Sequence, residues 1–354
     1  MHRCDVVIAG AGIIGLSVAI ELTRAGASVA VLDRGEPGQE ASSAAAGMLV
    51  ANDPETDPKL KPLTRMSAAM YPAFAEELEL RSGISVELES RGTLYIAHEN
   101  GELPAAPLSE VALRKLEPAL ADVSRVCLLE EQTVDPRLLV RAALSAAKRM
   151  DITVHHEARV ESVSIATTRD LEVETSSGLY STATFVNCAG AWASEIAGVP
   201  APSQPVKGQM LTVIPPVREL RHVVRSREVY LVPRKSGRVL IGATVEEAGF
   251  DKTVQPEVIQ KLHKAASNLV PWIGDAKMIE AWAGLRPGTP DGLPMIGPGS
   301  LPGTYVATGH FRNGILLAPI TAVLLSELIQ GRQTRVDLSP FLPSRFASNR
   351  ALAG

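Results

Sequence analysis

Apolar runs and an amphipathic stretch alternate at the start of the chain. Residues 4–9 form an apolar run typical of buried parallel strands, and residues 28–32 form a second one. Between them, residues 13–24 carry apolar side chains at helical spacing and end at Ala25-Gly26, which is typical of a helix C-terminus. The pattern therefore predicts one complete β-α-β unit.

Helix and strand patterns continue to alternate over the rest of the chain. Helical spacing recurs in four stretches, which are residues 63–81, 136–149, 255–270 and 315–329. Strand patterns recur at residues 86–97, where Arg91-Gly92 breaks a pair of predicted strands, and at residues 152–188, 205–245 and 304–308. Hairpin turns are predicted at residues 176–178 and 234–237. The alternation of apolar and polar positions in residues 205–245 predicts a mostly antiparallel sheet in the middle of the chain.

The overall composition is that of an ordinary globular protein. Hydrophobic residues make up 45% of the chain, charged residues make up 21%, and the formal net charge is −4. Since no basic segment is concentrated enough to follow a phosphate backbone, we expect no nucleic-acid partner. Cys4, Cys127 and Cys188 lack metal-ligand spacing and are too few for a disulfide framework, so we expect no metal and a reducing compartment.

The distribution of apolar residues also bears on location. The first predicted strand begins almost at once, which leaves no room for a separate targeting segment. The longest apolar stretch, residues 315–325, is too short to span a bilayer. We therefore expect a cytoplasmic protein without stable membrane insertion.

A glycine-rich element joins the first predicted strand to the first predicted helix. Residues 10–15, GAGIIG, have G-x-G-x-x-G spacing: the first glycine permits a tight turn, the second lets the backbone approach a pyrophosphate, and the third lets the helix pack on the strand. Asp33 ends the second predicted strand, where an acidic side chain accepts hydrogen bonds from a ribose. The alternative is a chance glycine-rich turn with a surface aspartate. The agreement of all four features favours a dinucleotide, either NAD or FAD.

Nucleotide-binding signals at both ends of the chain predict a discontinuous domain. We expect the α/β fold class, with a Rossmann-like cofactor domain and a mainly antiparallel β-sheet domain for the substrate. The first is expected from residues 1–82, 135–205 and 275–354, and the second from residues 83–134 and 206–274.

Six further motifs decide between the two dinucleotides. Residues 42–49 (SSAAAGML), 185–192, 205–208 and 230–238, and most closely residues 282–289 (WAGLRPGT) and 309–316 (GHFRNGIL), resemble the D-amino acid oxidase superfamily of flavoproteins. Within it they resemble the glycine oxidases of thiamine biosynthesis, over nearly the whole chain except residues 99–133. The resemblance implies a glutathione-reductase-type FAD-binding domain. It also implies noncovalent FAD. Some relatives tether their flavin through a cysteine near the late Gly-Leu-Arg region, and that tether is excluded here because no cysteine follows Cys188.

The resemblance also implies where the FAD lies. The first β-α turn would hold the pyrophosphate, and the backbone of Val160 would touch the adenine. Residues 310–316 would wrap the flavin ring and point a helix N-terminus at it, which would stabilise the reduced flavin. Asp33 stands where the family usually has glutamate, so its ribose contact would be longer or water-mediated. The implied cofactor residues are Gly10, Gly12, Ile13, Ile14, Gly15, Asp33, Arg34, Ser42, Ser43, Ala46, Gly47, Met48, Val160, Gly190, His310, Phe311, Arg312, Asn313, Gly314, Ile315 and Leu316.

Three residues match the substrate site of the family. Arg286 would bind the carboxylate of an amino acid, because a planar guanidinium can engage both oxygens. Tyr230 would donate its hydroxyl to the same carboxylate, and Arg312 would line the entrance. Each has an alternative: Arg286 could close a surface turn, Tyr230 could be a core residue on a strand, and Arg312 could face the flavin or the surface. No catalytic base is implied, and His310 is interpreted as structural.

The implied activity is FAD-dependent oxidation of glycine, with sarcosine or small D-amino acids as further candidates. Hydride transfer to the flavin would give an imine, which water converts to glyoxylate and ammonia, and oxygen would be reduced to hydrogen peroxide. The imine would supply a thiazole synthase in thiamine biosynthesis. The resemblance also suggests a homotetramer.

Two alternatives stay open from the sequence. An FAD-dependent dehydrogenase acting on sarcosine, proline or a D-amino acid would pass electrons to an acceptor other than oxygen. A noncatalytic flavin-binding scaffold would share only the fold, but it would have no reason to keep Arg286 and Tyr230 beside the flavin motifs. Oxygen consumption tests the first alternative, and reactivity towards small amines tests the second.

Overall fold

Two large β-sheets organise the chain. The computed structural model describes residues 2–98, 101–168, 170–216 and 220–350, with side chains described up to residue 346. The strands are β1 (His2–Ala9), β2 (Val29–Leu32), β3 (Met48–Leu49), β4 (Thr93–Ile96), β5 (Val126–Leu129), β6 (Gln132–Thr133), β7 (Thr153–His155), β8 (Val160–Ile165), β9 (Leu171–Thr175), β10 (Gly178–Asn187), β11 (Gln204–Ile214), β12 (Val223–Arg225), β13 (Tyr230–Pro233), β14 (Val239–Gly242), β15 (Lys277–Gly288), β16 (Met295–Pro298) and β17 (Thr304–Thr308).

Seven α-helices and several short 3₁₀ turns are assigned in the described residues. The helices are α1 (Ile13–Arg24), α2 (Ala41–Ala44), α3 (Lys61–Ser82), α4 (Glu110–Leu116), α5 (Pro136–Arg149), α6 (Pro256–Leu269) and α7 (Gly314–Ile329). The 3₁₀ turns are Gly190–Glu195, Pro271–Asp275, Phe311–Asn313, Ser339–Phe341 and Pro343–Arg350.

The first sheet is mainly parallel and has β1 near its centre. Its order is β16-β17-β10-β1-β2-β7, with β9 paired to β10 and β8 paired to β9. Ile8 of β1 lies between Val31 of β2 and Val186 of β10, and all three are completely buried. Helices α1, α3, α5 and α7 pack together in the core on one face. Burial of both faces explains why β1 and β2 appear in the sequence as unbroken apolar runs.

Two of these helices show how local sequence sets their limits. Helix α5 begins at Pro136, whose missing N–H costs nothing at a first turn, and the Asp135 carboxylate caps the next two N–H groups. Helix α7 contains Pro319, which cannot donate to the carbonyl of Ile315. The hydroxyl of Tyr71 on α3 donates to that carbonyl instead, at 3.0 Å. A buried tyrosine therefore replaces the bond that proline removes.

The second sheet is mainly antiparallel. Its order is β15-β11-β14-β13-β12-β4-β5, and the β11–β15 ladder extends over eleven residues of β11, Gln204–Ile214. Helix α6 contributes Ile259, Leu262 and Ala266 to the apolar core on one face of this sheet. The other face turns towards the parallel sheet and its first loops. The predicted α/β class, with a parallel cofactor sheet and an antiparallel second sheet, is confirmed.

Most predicted elements occur at the predicted positions, with one clear exception. Residues 86–97 were expected to form two strands, but only Thr93–Ile96 is a strand, and Glu89 makes an isolated bridge to Thr133. Left-handed backbone at Glu87 (φ 53°) and Gly92 (φ 73°) interrupts an extended chain here. Helix α4 lies where the sequence predicted no element. The division of the chain into two domains stays a prediction, although β15 pairs within the antiparallel sheet.

The last helix meets the length and composition of a membrane span. Residues 311–329 are apolar enough by those criteria, and 67% of this segment is buried inside the fold. Ile315, Leu317, Leu324 and Leu325 of α7 all belong to the main core. The segment is therefore accounted for as a core helix.

Candidate functional site

A cavity of about 390 Å³ runs between the two sheets. Its walls come from the turn after β1, the loop that contains α2, the face of the antiparallel sheet and the turn before α7. Val160 and Arg34 lie among its lining residues, as do Arg286 and Tyr230. The predicted dinucleotide end and the predicted substrate end thus open on one continuous space.

The turn after β1 has the close approaches that its glycines predicted. Gly10 has φ 101°, and a Cβ on it would lie 2.4 Å from the carbonyl oxygen of Cys188. A Cβ on Gly15 would lie 1.9 Å from the carbonyl oxygen of Gly10, so the helix packs directly on the turn. The N–H of Ile13 donates a hydrogen bond to the hydroxyl of Ser42, in the next loop, at 3.0 Å. Gly10, Gly12, Ile13 and Ile14 line the cavity at the N-terminus of α1.

Asp33 lies at the end of β2 beside this turn. Its carboxylate accepts hydrogen bonds from the N–H groups of Ala11 (2.7 Å) and Gly35 (3.0 Å), and it lines the cavity. Burial raises the pKa of this carboxyl, while the two N–H donors act in the opposite direction. Next to it, the Arg34 guanidinium lies 4.6 Å from the ring centroid of Trp192, which stacks on Phe250 at 5.3 Å.

Three side chains hold the cavity loop, residues 41–48, by its carbonyl groups. Arg234 donates to the carbonyl of Ala46 at 2.6 Å and to that of Val134 at 3.0 Å. The indole N–H of Trp282 donates to Ala44 at 3.1 Å, and Nε of Arg137 donates to Ser43 at 3.4 Å. Arg234 is only 6% exposed. A buried arginine that donates to backbone carbonyls fixes the path of the loop along the cavity.

One row of paired residues crosses the antiparallel sheet. Tyr95, Arg225, Tyr230, Gly242 and Met210 are successive partners on β4, β12, β13, β14 and β11. Directly paired residues of a sheet point to the same face, and all five line the cavity. The row therefore forms a wall of the substrate end.

Arg286 on β15 extends across this face. Its guanidinium lies over Gly208 of β11, where a Cβ would come within 2.3–2.5 Å of three guanidinium atoms. Its Nη1 donates to the carbonyl of Thr244 at 3.0 Å and approaches that of Lys207 at 3.4 Å. Burial lowers the pKa of Arg286, but an arginine stays charged at neutral pH. Its remaining N–H groups can face a ligand in the cavity.

Tyr230 lies in the same way over Gly242. A Cβ on Gly242 would lie 2.7 Å from the Tyr230 hydroxyl, and that hydroxyl lies 3.6 Å from the sulfur of Met210. Burial raises the pKa of Tyr230, and the positive charge of Arg286 partly opposes the rise. The hydroxyl thus stays protonated and able to donate a hydrogen bond beside the guanidinium.

Charged side chains surround the opening of the cavity. Arg312 has a side chain 53% exposed and lies 3.8 Å from Glu55. Arg225 is nearly buried and lies 3.7 Å from Asp53 and 3.9 Å from Glu131, distances longer than a direct hydrogen bond. Burial raises the pKa of the Glu131 carboxyl, and Arg225 opposes the rise.

His310 begins the turn before α7 and is almost completely buried. Its Nε2 lies 3.1 Å from the hydroxyl of Thr321, which belongs to α7. Burial lowers the pKa of His310 to about 3, so the imidazole is neutral at ordinary pH. The prediction that this histidine is structural fits its position.

Most of the predicted site residues meet at the cavity. Three predicted cofactor residues, Gly15, Ser43 and Leu316, are not among its lining residues. Gly15 packs on Gly10, the Ser43 hydroxyl donates to the carbonyl of Gly38 at 2.6 Å, and Leu316 is buried in the core. All the other residues predicted for cofactor and substrate line the cavity.

Several lining residues were not predicted. Asp53, Glu55, Tyr95, Arg225 and Glu228 contribute to the substrate end of the cavity. Gly208 was only part of a family motif, although a glycine inside a strand often marks a close approach. No short-range pattern connects Tyr95 to Arg225, because their pairing joins strands far apart in sequence.

A dinucleotide turn and an arginine site on one cavity are the features of flavin-dependent oxidoreductases. The family model described as FAD dependent oxidoreductase matches residues 5–328, and the chain belongs to this family. Its cofactor is FAD, as predicted. The turn fits this cofactor, since any side chain on Gly12 would project towards Ser42, with a Cβ 3.2 Å from its hydroxyl, and would fill the approach to the helix N-terminus.

Glycine oxidases are among the most similar relatives, which confirms the predicted resemblance. The chain is 33% identical to the glycine oxidase of Pseudomonas aeruginosa, over 96% of this chain and 98% of that protein. The crystal structure of glycine oxidase from Geobacillus kaustophilus matches with a TM-score of 0.92 and 33% identity, covering 98% of this chain and 99% of that one.

A second kind of relative is longer. The chain is 36% identical to the "Bifunctional protein ThiO/ThiG" of Trichormus variabilis, over 97% of this chain but only 55% of that protein. The chain thus spans about half the length of this relative.

Proposed function

We propose that this protein is an oxidase of the CH–NH₂ group of a small amino acid, with glycine as its substrate. The observation that carries the proposal is the meeting of Arg286 and Tyr230 over Gly208 and Gly242, in the cavity that also contains the dinucleotide turn. The similarity to glycine oxidases supports the same substrate. FAD bound in this cavity would supply the two-electron oxidation of the substrate C–N bond, with oxygen as the final electron acceptor and hydrogen peroxide as its product.

The residues of the chain bind and orient the substrate. Arg286 binds the carboxylate through the guanidinium N–H groups that do not face Thr244, and Tyr230 donates its hydroxyl to the same carboxylate. Arg312, at the opening, attracts the anionic group. The apolar side chains of Met48 and Met210 exclude water, which favours the neutral form of the substrate amine. Hydride leaves the α-carbon more readily when the amine is neutral. The imine product is hydrolysed to glyoxylate and ammonia.

Cofactor binding is proposed for the predicted residues that line the cavity. The turn at Gly10 and Gly12 and the N-terminus of α1 at Ile13 and Ile14 suit the pyrophosphate, and Asp33 and Arg34 suit the adenosine with Val160. Residues 46–48 and 310–315 suit the flavin, since the latter end at the N-terminus of α7, where positive potential favours the anionic reduced ring. The FAD is proposed to be noncovalent.

The partners and location remain predictions. A thiazole synthase that takes up the imine fits the relative in which ThiO is joined with ThiG. A homotetramer and a cytoplasmic location are the other two expectations.

The visible spectrum of the anaerobic holoenzyme tests the proposal. Glycine should bleach the flavin bands of the wild type, and air should restore them. Arg286→Ala should keep its flavin but need far more glycine for bleaching, whereas Arg332→Ala, which removes an exposed arginine after α7, should behave as wild type. If glycine reduces the flavin of Arg286→Ala at wild-type concentrations, Arg286 is not the anchor of the substrate carboxylate. Bleaching without reoxidation by air would favour a dehydrogenase, and a flavin untouched by any small amine would favour a scaffold.

A further inference from the structure

The carbonyl group that holds Arg286 belongs to a residue outside the regular sheet. Nη1 of Arg286 donates to the carbonyl of Thr244 at 3.0 Å. Strand β14 ends two residues earlier, at Gly242 opposite Met210 of β11. Thr244 thus lies in the segment that continues β14 alongside β11.

This segment contains one extra residue. Gly242 lies opposite Met210, but Glu246 lies opposite Lys207. The four residues 243–246 therefore run alongside only three residues of β11, 207–209. Both backbone bonds between Lys207 and Glu246 are present, each 2.9 Å long. A bulge of this kind can turn a backbone carbonyl group away from the hydrogen-bond ladder in which it would otherwise take part.

At the bulge, the side-chain hydroxyl of Thr244 replaces the carbonyl of Thr244 as a hydrogen-bond acceptor. Thr244 N donates to the carbonyl of Gln209 at 3.4 Å, and in a regular antiparallel pair Gln209 N would donate back to the carbonyl of Thr244. Instead, Gln209 N donates to the Thr244 hydroxyl at 2.8 Å. The Thr244 carbonyl is thereby left free, and it is the one that accepts from Arg286.

Glu246 fixes the hydroxyl in this role. The Thr244 hydroxyl donates to the Glu246 carboxylate, so its lone pairs face the N–H of Gln209. The side-chain amide of Gln209 donates to both carboxylate oxygens, at 3.0 and 3.2 Å. Its oxygen accepts from the N–H of Gln255 at 2.7 Å, and Gln209 is completely buried. The hydroxyl therefore has one available orientation.

We propose that Thr244 and Glu246 are positioning residues for the carboxylate specificity of the site. The Thr244 hydroxyl takes the place of its own carbonyl in the strand pairing, and Glu246 holds it there, so that the carbonyl orients Arg286 towards the substrate carboxylate. This inference rests on the proposed role of Arg286. Neither residue touches the substrate, and both act through the guanidinium.

Substitution of Thr244 in the holoenzyme tests the proposal. In Thr244→Val the Gln209 N–H loses its acceptor and recaptures the carbonyl, whereas Thr244→Ser keeps the hydroxyl. The probe is acetate, a carboxylate without an amine, titrated against the flavin spectrum. We expect Thr244→Val to weaken acetate binding and raise the KM for glycine about tenfold, as for loss of a charged hydrogen bond, with kcat and flavin content unchanged. Thr244→Ser should restore both values.

Two controls separate positioning from general damage. Thr212→Val removes a hydroxyl from β11 where the backbone pairing with Leu240 is regular, and Glu247→Gln neutralises the exposed neighbour of Glu246. Neither should change acetate affinity, while Glu246→Gln should weaken it. Wild-type acetate affinity in Thr244→Val, equal losses in the Val and Ser variants, or a fall in kcat and flavin content instead of affinity would overturn the proposal.

The role of Arg286 is checked independently with Arg286→Lys. If Arg286→Lys weakens acetate binding and Thr244→Val does not, only the positioning inference fails. If Arg286→Lys leaves the affinity for acetate unchanged, the proposed role of Arg286 as carboxylate anchor itself fails.

Discussion

The guanidinium of Arg286 occupies the space above Gly208, on the strand next to its own. A Cβ at position 208 would lie 2.3–2.5 Å from the guanidinium atoms, well inside contact distance. The same relationship joins Tyr230 to Gly242 on the adjacent pair of strands. A glycine inside β11 and a glycine at the end of β14 thus make room for two polar side chains to lie flat across the sheet.

Gly208→Ala should impair substrate binding without loss of FAD. The new methyl group would displace the guanidinium by about an ångström or more, and a misplacement of that size can cost on the order of 10²-fold in kcat/KM. Flavin content should stay normal, because the dinucleotide turn is built from β1 and α1. Steady-state kinetics with glycine measures the effect. Gly274→Ala, where the nearest atom to a Cβ is 3.9 Å away, is the control, and equal kinetics of the two variants would contradict the packing argument.

Arg234→Met should weaken FAD binding. The substitution removes the donors to the carbonyls of Ala46 and Val134, and each hydrogen bond to a charged group contributes about 1.5–3 kcal/mol. The loop of residues 41–48 would lose its fixed path, so we expect the dissociation constant of FAD to rise about tenfold or more. Titration of apoprotein with FAD measures this. Arg238→Met, at an exposed position on the same hairpin, should bind FAD like the wild type.

Gly12→Val should yield protein without flavin. A Cβ at this position would already lie 3.2 Å from the hydroxyl of Ser42, and the branched carbons beyond it would enter the space where the pyrophosphate approaches the helix N-terminus. The absorbance of the purified protein near the flavin bands gives the answer. A fully yellow variant would show that the pyrophosphate lies elsewhere.

His310 should make the fold sensitive to acid. Its pKa is about 3 in the folded chain against 6.5 for the free side chain, so only the unfolded state takes up a proton between these values. Stability is therefore intact above pH 6.5 and falls as the pH drops towards 3, with a loss of about 2 kcal/mol at pH 5 from this group.

His310→Gln removes this titration and keeps a hydrogen-bonding side chain. The fall in thermal midpoint between pH 7 and pH 5 should be smaller in this variant than in the wild type. His263→Gln, on the more exposed helix α6, serves as the matched control and should keep the wild-type fall. The same fall in all three proteins would show that His310 already titrates in the folded state.

The sequence predicted those parts of the site that depend on neighbouring residues. The turn of residues 10–15 is local: the glycines, the strand before them and the helix after them occur within a few residues. Arg286 was predicted as an anchor because its motif resembles that of a known family. Helix α5 was predicted at its observed limits from its apolar spacing, and in the structure Asp135 and Pro136 favour the same start.

The parts that could not be predicted depend on strand register. The hydroxyl of Thr244 accepts from Gln209 only because of an extra residue opposite Lys207, and no pattern in residues 205–246 indicates a bulge. The loss of the first of the two strands predicted in residues 86–97 likewise arises from left-handed backbone at Glu87, a residue type with no special preference for it.

The row formed by Tyr95, Arg225, Tyr230, Gly242 and Met210 restricts how this site can change in evolution. Each residue faces the cavity through its place in a pleat of period two, so deleting or inserting a single residue in any of these strands would turn that strand's contribution to the opposite face. Replacement of a side chain leaves the register intact. Related enzymes with other amine substrates should therefore differ in this wall by substitutions, while their length variation falls in the loops outside it.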